Sequence, residues 1–211
     1  MISTILRKKP GRPKSPEKRA AIVTAAGELI LQSGFQNATM DAVAADAGVS
    51  KQTVYSHFGS KDELLRACVN SKMRDHQVSA DDLPATADAR TALTEVATRM
   101  VELLQDPEVV AMMRVMIGEL GQPEISRSFL AEGPDQAVDL IAELLLKLGK
   151  DGDMAVRDAH DAAEVFSSLV RGHFVIRALL GDPVTMSEAE RRQHVQATVD
   201  RFLQLCDAGL C

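Results

Sequence analysis

The stretch from Thr39 to Phe58, TMDAVAADAGVSKQTVYSHF, leaves its backbone little freedom. Thr39 is a good N-cap residue, and Ala42, Val43 and Ala47 follow at helical spacing, which predicts a short helix from Met40 to Asp46. Gly48 falls where a helix end calls for positive φ, a region glycine enters without steric cost. Ser50 is placed to cap a second helix, Lys51 to His57, whose exposed side chains are polar. Val49 before that cap and Val54 after it have the spacing of a hydrophobic staple, which fixes the angle at which the chain enters the helix. Two short helices held at a fixed angle make a helix-turn-helix, the unit that lays its second helix in a DNA major groove. Ser50, Lys51, Gln52, Thr53, Tyr55 and His57 then form the face that meets DNA. Its first turn, Lys51 to Thr53, points into the groove, where Gln52 suits adenine and Lys51 suits guanine or a phosphate. Phe58 is expected to pack inward.

Around this stretch the composition points to helices. Aromatic residues are 3% of the 211, with one Tyr, six Phe and no Trp, so the core has to be built from Leu, Ile, Val, Ala and nine Met. Alternating β-branched or aromatic runs are few, which argues for an all-α fold. The net charge of −6 disfavours nucleic acid until its distribution is read. Residues 1–19 hold seven Lys/Arg and one acidic residue, a net of +6, against −12 for the rest. A basic end on an acidic body is the asymmetry of a chain that meets phosphates at one end.

Three domains are expected. Residues 1–14 are a flexible basic arm, because Pro10, Gly11 and Pro13 forbid a helix. Arg12, framed by Gly11 and Pro13, is a candidate for the minor groove or the phosphates; a solvated terminus is the other reading. Residues 15–60 are a three-helix helix-turn-helix DNA-binding domain. Its first helix is capped by Ser15, opens at Pro16, buries Ile22, Ala26, Leu29 and Ile30, and stops at Ser33-Gly34, with Phe35 plugging the core. Residues 61–211 are a helical domain for ligand binding and dimerisation. A helix from Lys61, preceded by a Ser60/Glu63 capping box, links the two parts. After a loop over 78–87 come helices over about 88–104, from Pro107 to near Leu120-Gly121, 123–131, 134–148, 154–180, and from the Ser187/Glu190 capping box to the C-terminus. GKDGD at 149–153 reads as a loop and lacks the rest of a calcium site.

The run AIVTAAGELILQSGFQNATMDAVAADAGVSKQTVYSHFGSKDELLRAC resembles the DNA-binding domain of the TetR/AcrR family of transcriptional repressors, over about the first third of the chain. The segment MRVMIGELGQPEISRSFLAEGPDQAV resembles the regulatory domain of the AefR-like subgroup. The resemblance implies that Tyr55 and His57 contact the DNA backbone and that Thr39 and Lys61 clamp phosphates from either side. It also implies dimerisation through the last two helices, which as adjacent amphipathic helices suit a four-helix bundle about a two-fold axis.

A ligand site is expected in the body. Met100, Met112, Met113 and Met116 cluster on two helices, and the adaptable Met side chain suits a pocket for varied apolar molecules; an ordinary core is the competing reading. Phe129, Phe166, Arg171 and His173 are further candidates. No P-loop, GxSxG, HExxH or paired Cys/His spacing occurs, so neither an enzyme, a metal nor a cofactor is expected. Cys68, Cys206 and Cys211 form no disulfide framework and read as inert thiols, a redox pair of the last two being the alternative. No apolar run spans a bilayer and no signal peptide is evident, so a cytoplasmic protein is expected. Together these features describe a homodimeric, ligand-responsive regulator, a repressor by preference, on a pseudo-palindromic operator. An architectural DNA binder without a switch is the alternative.

Overall fold

In a computed structural model the described residues are 15–74, 88–118, 123–152, 154–182 and 186–209. The basic arm with Arg12, the loop over 78–87 and the helix end at Leu120-Gly121 lie outside them. Among the described residues there are ten helices and no strand. They are α1 (Pro16–Ser33), α2 (Met40–Asp46), α3 (Lys51–Phe58), α4 (Lys61–Arg74), α5 (Ala89–Gln105), α6 (Pro107–Gly118), α7 (Pro123–Glu132), α8 (Pro134–Asp151), α9 (Ala159–Leu179) and α10 (Glu188–Asp207).

Most boundaries are set by local cap chemistry. Ser15 accepts from the Lys18 N–H, Thr39 from Ala42, Asp88 from Thr91, and Asp106 from Glu108 and Val109, each satisfying amide donors that the first helical turn leaves open. At α10 both bonds of the Ser187/Glu190 box are present. At α4 the Ser60 hydroxyl accepts the Glu63 N–H at 3.1 Å, while the Ser60 N–H goes to the Phe58 carbonyl.

Two boundaries and the interior of one helix differ from the sequence reading. α8 runs on through Gly149, Lys150 and Asp151 and ends at Gly152, whose φ of 83° is left-handed, so most of the expected GKDGD loop is helix. Lys150 in the last turn suits the negative end of the helix dipole. α9 begins at Ala159 rather than near Met154, because Asp158 caps it, accepting from the His160 and Asp161 N–H groups at 3.0 and 3.1 Å. It is also not one smooth helix: Gly172, with φ 49° and ψ −165°, kinks it. His194 on α10 sits in the kink, its Nε2 2.8 Å from the Val170 carbonyl and its ring edge-on to Phe174.

Two hydrophobic clusters organise the packing. One joins Ile22, Ile30, Phe35, Val43, Val54 and Phe58 of the head to Leu64, Leu65 and Cys68 on α4 and to Met112 and Met116 on α6. The other is built by α5, α8, α9 and α10 around Phe166 and Phe202, both fully buried with ring centroids 4.9 Å apart. α4 packs on α1 and also on α7, so the head is seated on the body through buried apolar surface. Cys68 is a buried free thiol, and Cys206, also buried, is disulfide-bonded rather than an inert thiol. No described helix is long and apolar enough to cross a membrane.

Candidate nucleic-acid interface and interior cavity

The turn between α2 and α3 is built as its residue types dictate. Gly48 takes φ 63°, and the Val49 N–H returns to the Ala44 carbonyl at 2.9 Å. Ser50 Oγ accepts the Thr53 N–H at 3.1 Å, and Val54 is fully buried beneath it. Phe58 is buried at the other end of α3, with the Arg19 guanidinium 5.2 Å from its ring centroid. Both apolar residues of α3 are thus turned inward, and the polar ones line the opposite face.

That face carries Lys51, Gln52, Tyr55 and Ser56, all exposed, with Thr53 and His57 half-buried at its edges. Tyr55 is 45% exposed, which is unusual for the one tyrosine of an aromatic-poor chain and leaves its hydroxyl reachable. Lys51 Nζ lies 2.8 Å from Asp41 on α2, and this hydrogen-bonded carboxylate raises the ammonium above the ordinary lysine range. The pair ties the two helices together and keeps Lys51 charged. The hydroxyls of Ser50 and Thr53 lie 2.8 Å apart, so the first of these candidates is occupied with capping. Thr39 caps α2 with its Oγ1 at 3.1 Å from the Ala42 N–H. Lys61 donates to the Gln36 carbonyl at 2.9 Å, with its ammonium 4.5 Å from the Phe35 centroid. Sequence spacing offered no signal for Asp41 or Arg19, because their partners are distant in the chain.

Below the head an apolar cavity of about 180 Å³ opens between α4, α5, α6, α7, α8 and α9. Met100 of α5, Met112 and Met113 of α6 and Phe129 of α7 line it, together with Cys68 and Val69 of α4. Three other candidates lie elsewhere. Met116 is buried in the head cluster, Phe166 is locked against Phe202, and His173 is exposed on α9 beside the kink. Phe166 recurs with Ala163, Val170 and Phe174 at helical spacing, which suits burial but does not say against what, and Met116 enters the sequence reading only as one of the Met cluster. The polar members of the lining are Lys72, Ser167 and Arg171, of which Ser167 and Lys72 gave no sign in the sequence. Among the described residues no group of three His, Cys, Asp or Glu is placed to hold a metal.

The comparisons with known proteins agree with this geometry. Residues 22–68 match the model for bacterial regulatory proteins of the tetR family, and residues 91–205 match the C-terminal domain of AefR-like transcriptional repressors. The chain is 31% identical over 175 residues to the HTH-type transcriptional regulator BetI of Rhizobium meliloti, covering 81% of this chain and 83% of that protein. It is 26% identical over 161 residues to the HTH-type transcriptional regulator SrpR of Pseudomonas putida, covering 75% and 74%. Among solved structures, the flavonoid-responsive regulator FrrA superposes with a TM-score of 0.72 at 29% identity, over 91% of this chain and 98% of that one. With a capped helix-turn-helix on a helical body, and both halves matched, the chain belongs to the TetR family and is a DNA-binding transcriptional regulator.

Proposed function

We propose that the protein is a homodimeric repressor that leaves a pseudo-palindromic operator when a small, largely apolar molecule fills its cavity. Residues 15–60 serve as the reading head, with Arg12 of the preceding arm adding a phosphate or minor-groove contact. Residues 61–211 serve as the sensing and dimerising body. The observation that carries this reading is that cavity and head share walls: Cys68, Val69 and Met112 line the cavity and also belong to the buried cluster that seats α1, α2 and α3. An occupant therefore presses on side chains that fix the head. FrrA, similar over nearly its whole length, is by name responsive to a small molecule.

On the DNA side, Lys51, Gln52 and Tyr55 reach the groove and the flanking phosphates, and Thr39 and Lys61 bracket them. For the dimer, Ile176 and Leu180 at the end of α9 are 58% and 81% exposed, large aliphatic residues suited to the α9–α10 pair of a second copy. The test starts with a DNA site selected from random duplexes. Tyr55→Ala should weaken its binding about tenfold or more while sedimentation still shows a dimer. Unchanged affinity removes Tyr55 from the interface, and a monomer removes the two-headed geometry. An affinity for DNA that no small apolar compound alters would instead mark an architectural binder.

A further inference from the structure

The cavity lining is nearly all hydrocarbon and sulfur, but its few polar groups are of one kind. Among the described residues no Asp or Glu lines it. Its two cations differ in standing: Lys72 is ion-paired with Glu108, whereas Arg171, among the described residues, has no carboxylate partner. One turn before Arg171, on the same face of α9, Ser167 is 1% exposed and its hydroxyl makes no hydrogen bond among the described residues. That is not the habit of helical hydroxyls in this protein. Ser33, Thr94 and Thr98 each bond the carbonyl four residues earlier, at 2.8, 2.7 and 2.8 Å. Ser167 instead leaves a buried donor at the wall of a space that Arg171, itself exposed to solvent, also lines.

We propose that the cavity takes a small carboxylic acid, with its hydrocarbon body among Met100, Met112, Met113 and Phe129 and its carboxylate between Ser167 and Arg171. The proposal rests on the cavity being the effector site. A carboxylate accepts from both the hydroxyl and the guanidinium, which satisfies the buried donor and pairs the free cation. A neutral alcohol answers the hydroxyl but leaves the guanidinium without a counter-charge. A cationic amphiphile meets the positive Arg171 and, among the described lining residues, no carboxylate. The volume of about 180 Å³ slightly exceeds the ~150 Å³ that holds one benzene, which limits the body to roughly one ring or an alkyl chain of similar bulk.

Calorimetric titration of the full-length protein with octanoate, octan-1-ol and octylamine, near neutral pH where the acid and the amine are both ionised, tests this. Octanoate should bind at least about tenfold more tightly than octan-1-ol. Arg171→Met, which keeps the apolar stem, should remove most of that preference and leave octan-1-ol unchanged. Ser167→Ala should weaken octanoate by a smaller factor. Equal affinities for acid and alcohol, a preference for octylamine, or an Arg171→Met protein that still prefers octanoate overturns the acid and leaves the cavity as an effector site. No binding by any of the three, together with an operator complex indifferent to them all, overturns both.

Discussion

Cys68 sits where α4 meets both the head core and the cavity, and its burial pushes the thiol up from 9.0 to about 12, with the nearby Arg19 charge opposing only in part. A raised folded-state pKa gives stability that is present while the unfolded thiol is protonated and lost as pH rises. Above pH ~9 the unfolded chain releases this proton while the folded one keeps it, so this group lowers stability by about 1.4 kcal/mol per pH unit until the folded pKa is reached. Urea unfolding of wild type and Cys68→Ala between pH ~8 and ~11 should therefore show the wild type losing stability more steeply by that amount. Parallel pH dependences would show that the thiol is not desolvated. The spacing of Cys68 with Leu64 and Leu65 suits a buried, inert thiol, and the structure bears that out; the neighbouring Arg19, distant in the chain, was not legible. Residues whose role is local were legible: Thr39, Ser50, Asp106 and Ser187 satisfy amides within four residues of themselves, so their chemistry is written beside them. Met116 lies in the head cluster because its deciding neighbours are on other helices, and His173 is exposed beside the kink at Gly172 of its own helix.

At the scale of elements, the kink in α9 is the feature that helical periodicity conceals. Ala163, Phe166, Val170 and Phe174 keep helical spacing across it, so the pattern continues while the backbone does not. Gly172 is required there twice over. Its φ of 49° favours glycine, and a Cβ would stand 3.1 Å from the His194 ring. That ring in turn bonds the Val170 carbonyl at 2.8 Å, beside the break in the helix. Gly172→Ala should destabilise the protein by about 1–3 kcal/mol, from the strained backbone and the displaced imidazole together. A midpoint in thermal or urea unfolding within error of wild type would mean that α9 straightens at no cost. Glycine also explains the boundary errors elsewhere. Gly149 was read as a helix stop, yet it lies inside α8, and the stop is Gly152, where the backbone turns left-handed. Composition cannot tell a glycine that ends a helix from one that lies within it.

For the whole molecule, the question is how an occupant of the body is felt by a helix in a DNA groove. α6 presents different residues to the two regions: Met113 faces the cavity, Met116 belongs to the head cluster, and Met112 is common to both. α6 also packs directly on α1, which in turn packs on α2, the partner of α3 in the helix-turn-helix. The two-part plan itself was legible from charge and from the turn at Gly48. The shared wall was not, because it depends on which turn of α6 faces which partner. If α6 carries the signal, Met116→Ala should separate binding from response. The variant lacks no cavity contact, so octanoate affinity of the free protein should stay within about twofold of wild type. The ratio of operator affinities without and with octanoate should fall toward one, because thermodynamic coupling of a few kcal/mol needs a wall that transmits it. A buried Met→Ala change also costs about 2–5 kcal/mol of stability, so Met116→Leu, which keeps the volume, serves as the control that should retain the response. A Met116→Ala protein that folds, binds octanoate and releases operator as wild type does would place the coupling outside α6, with α4 as the remaining shared wall.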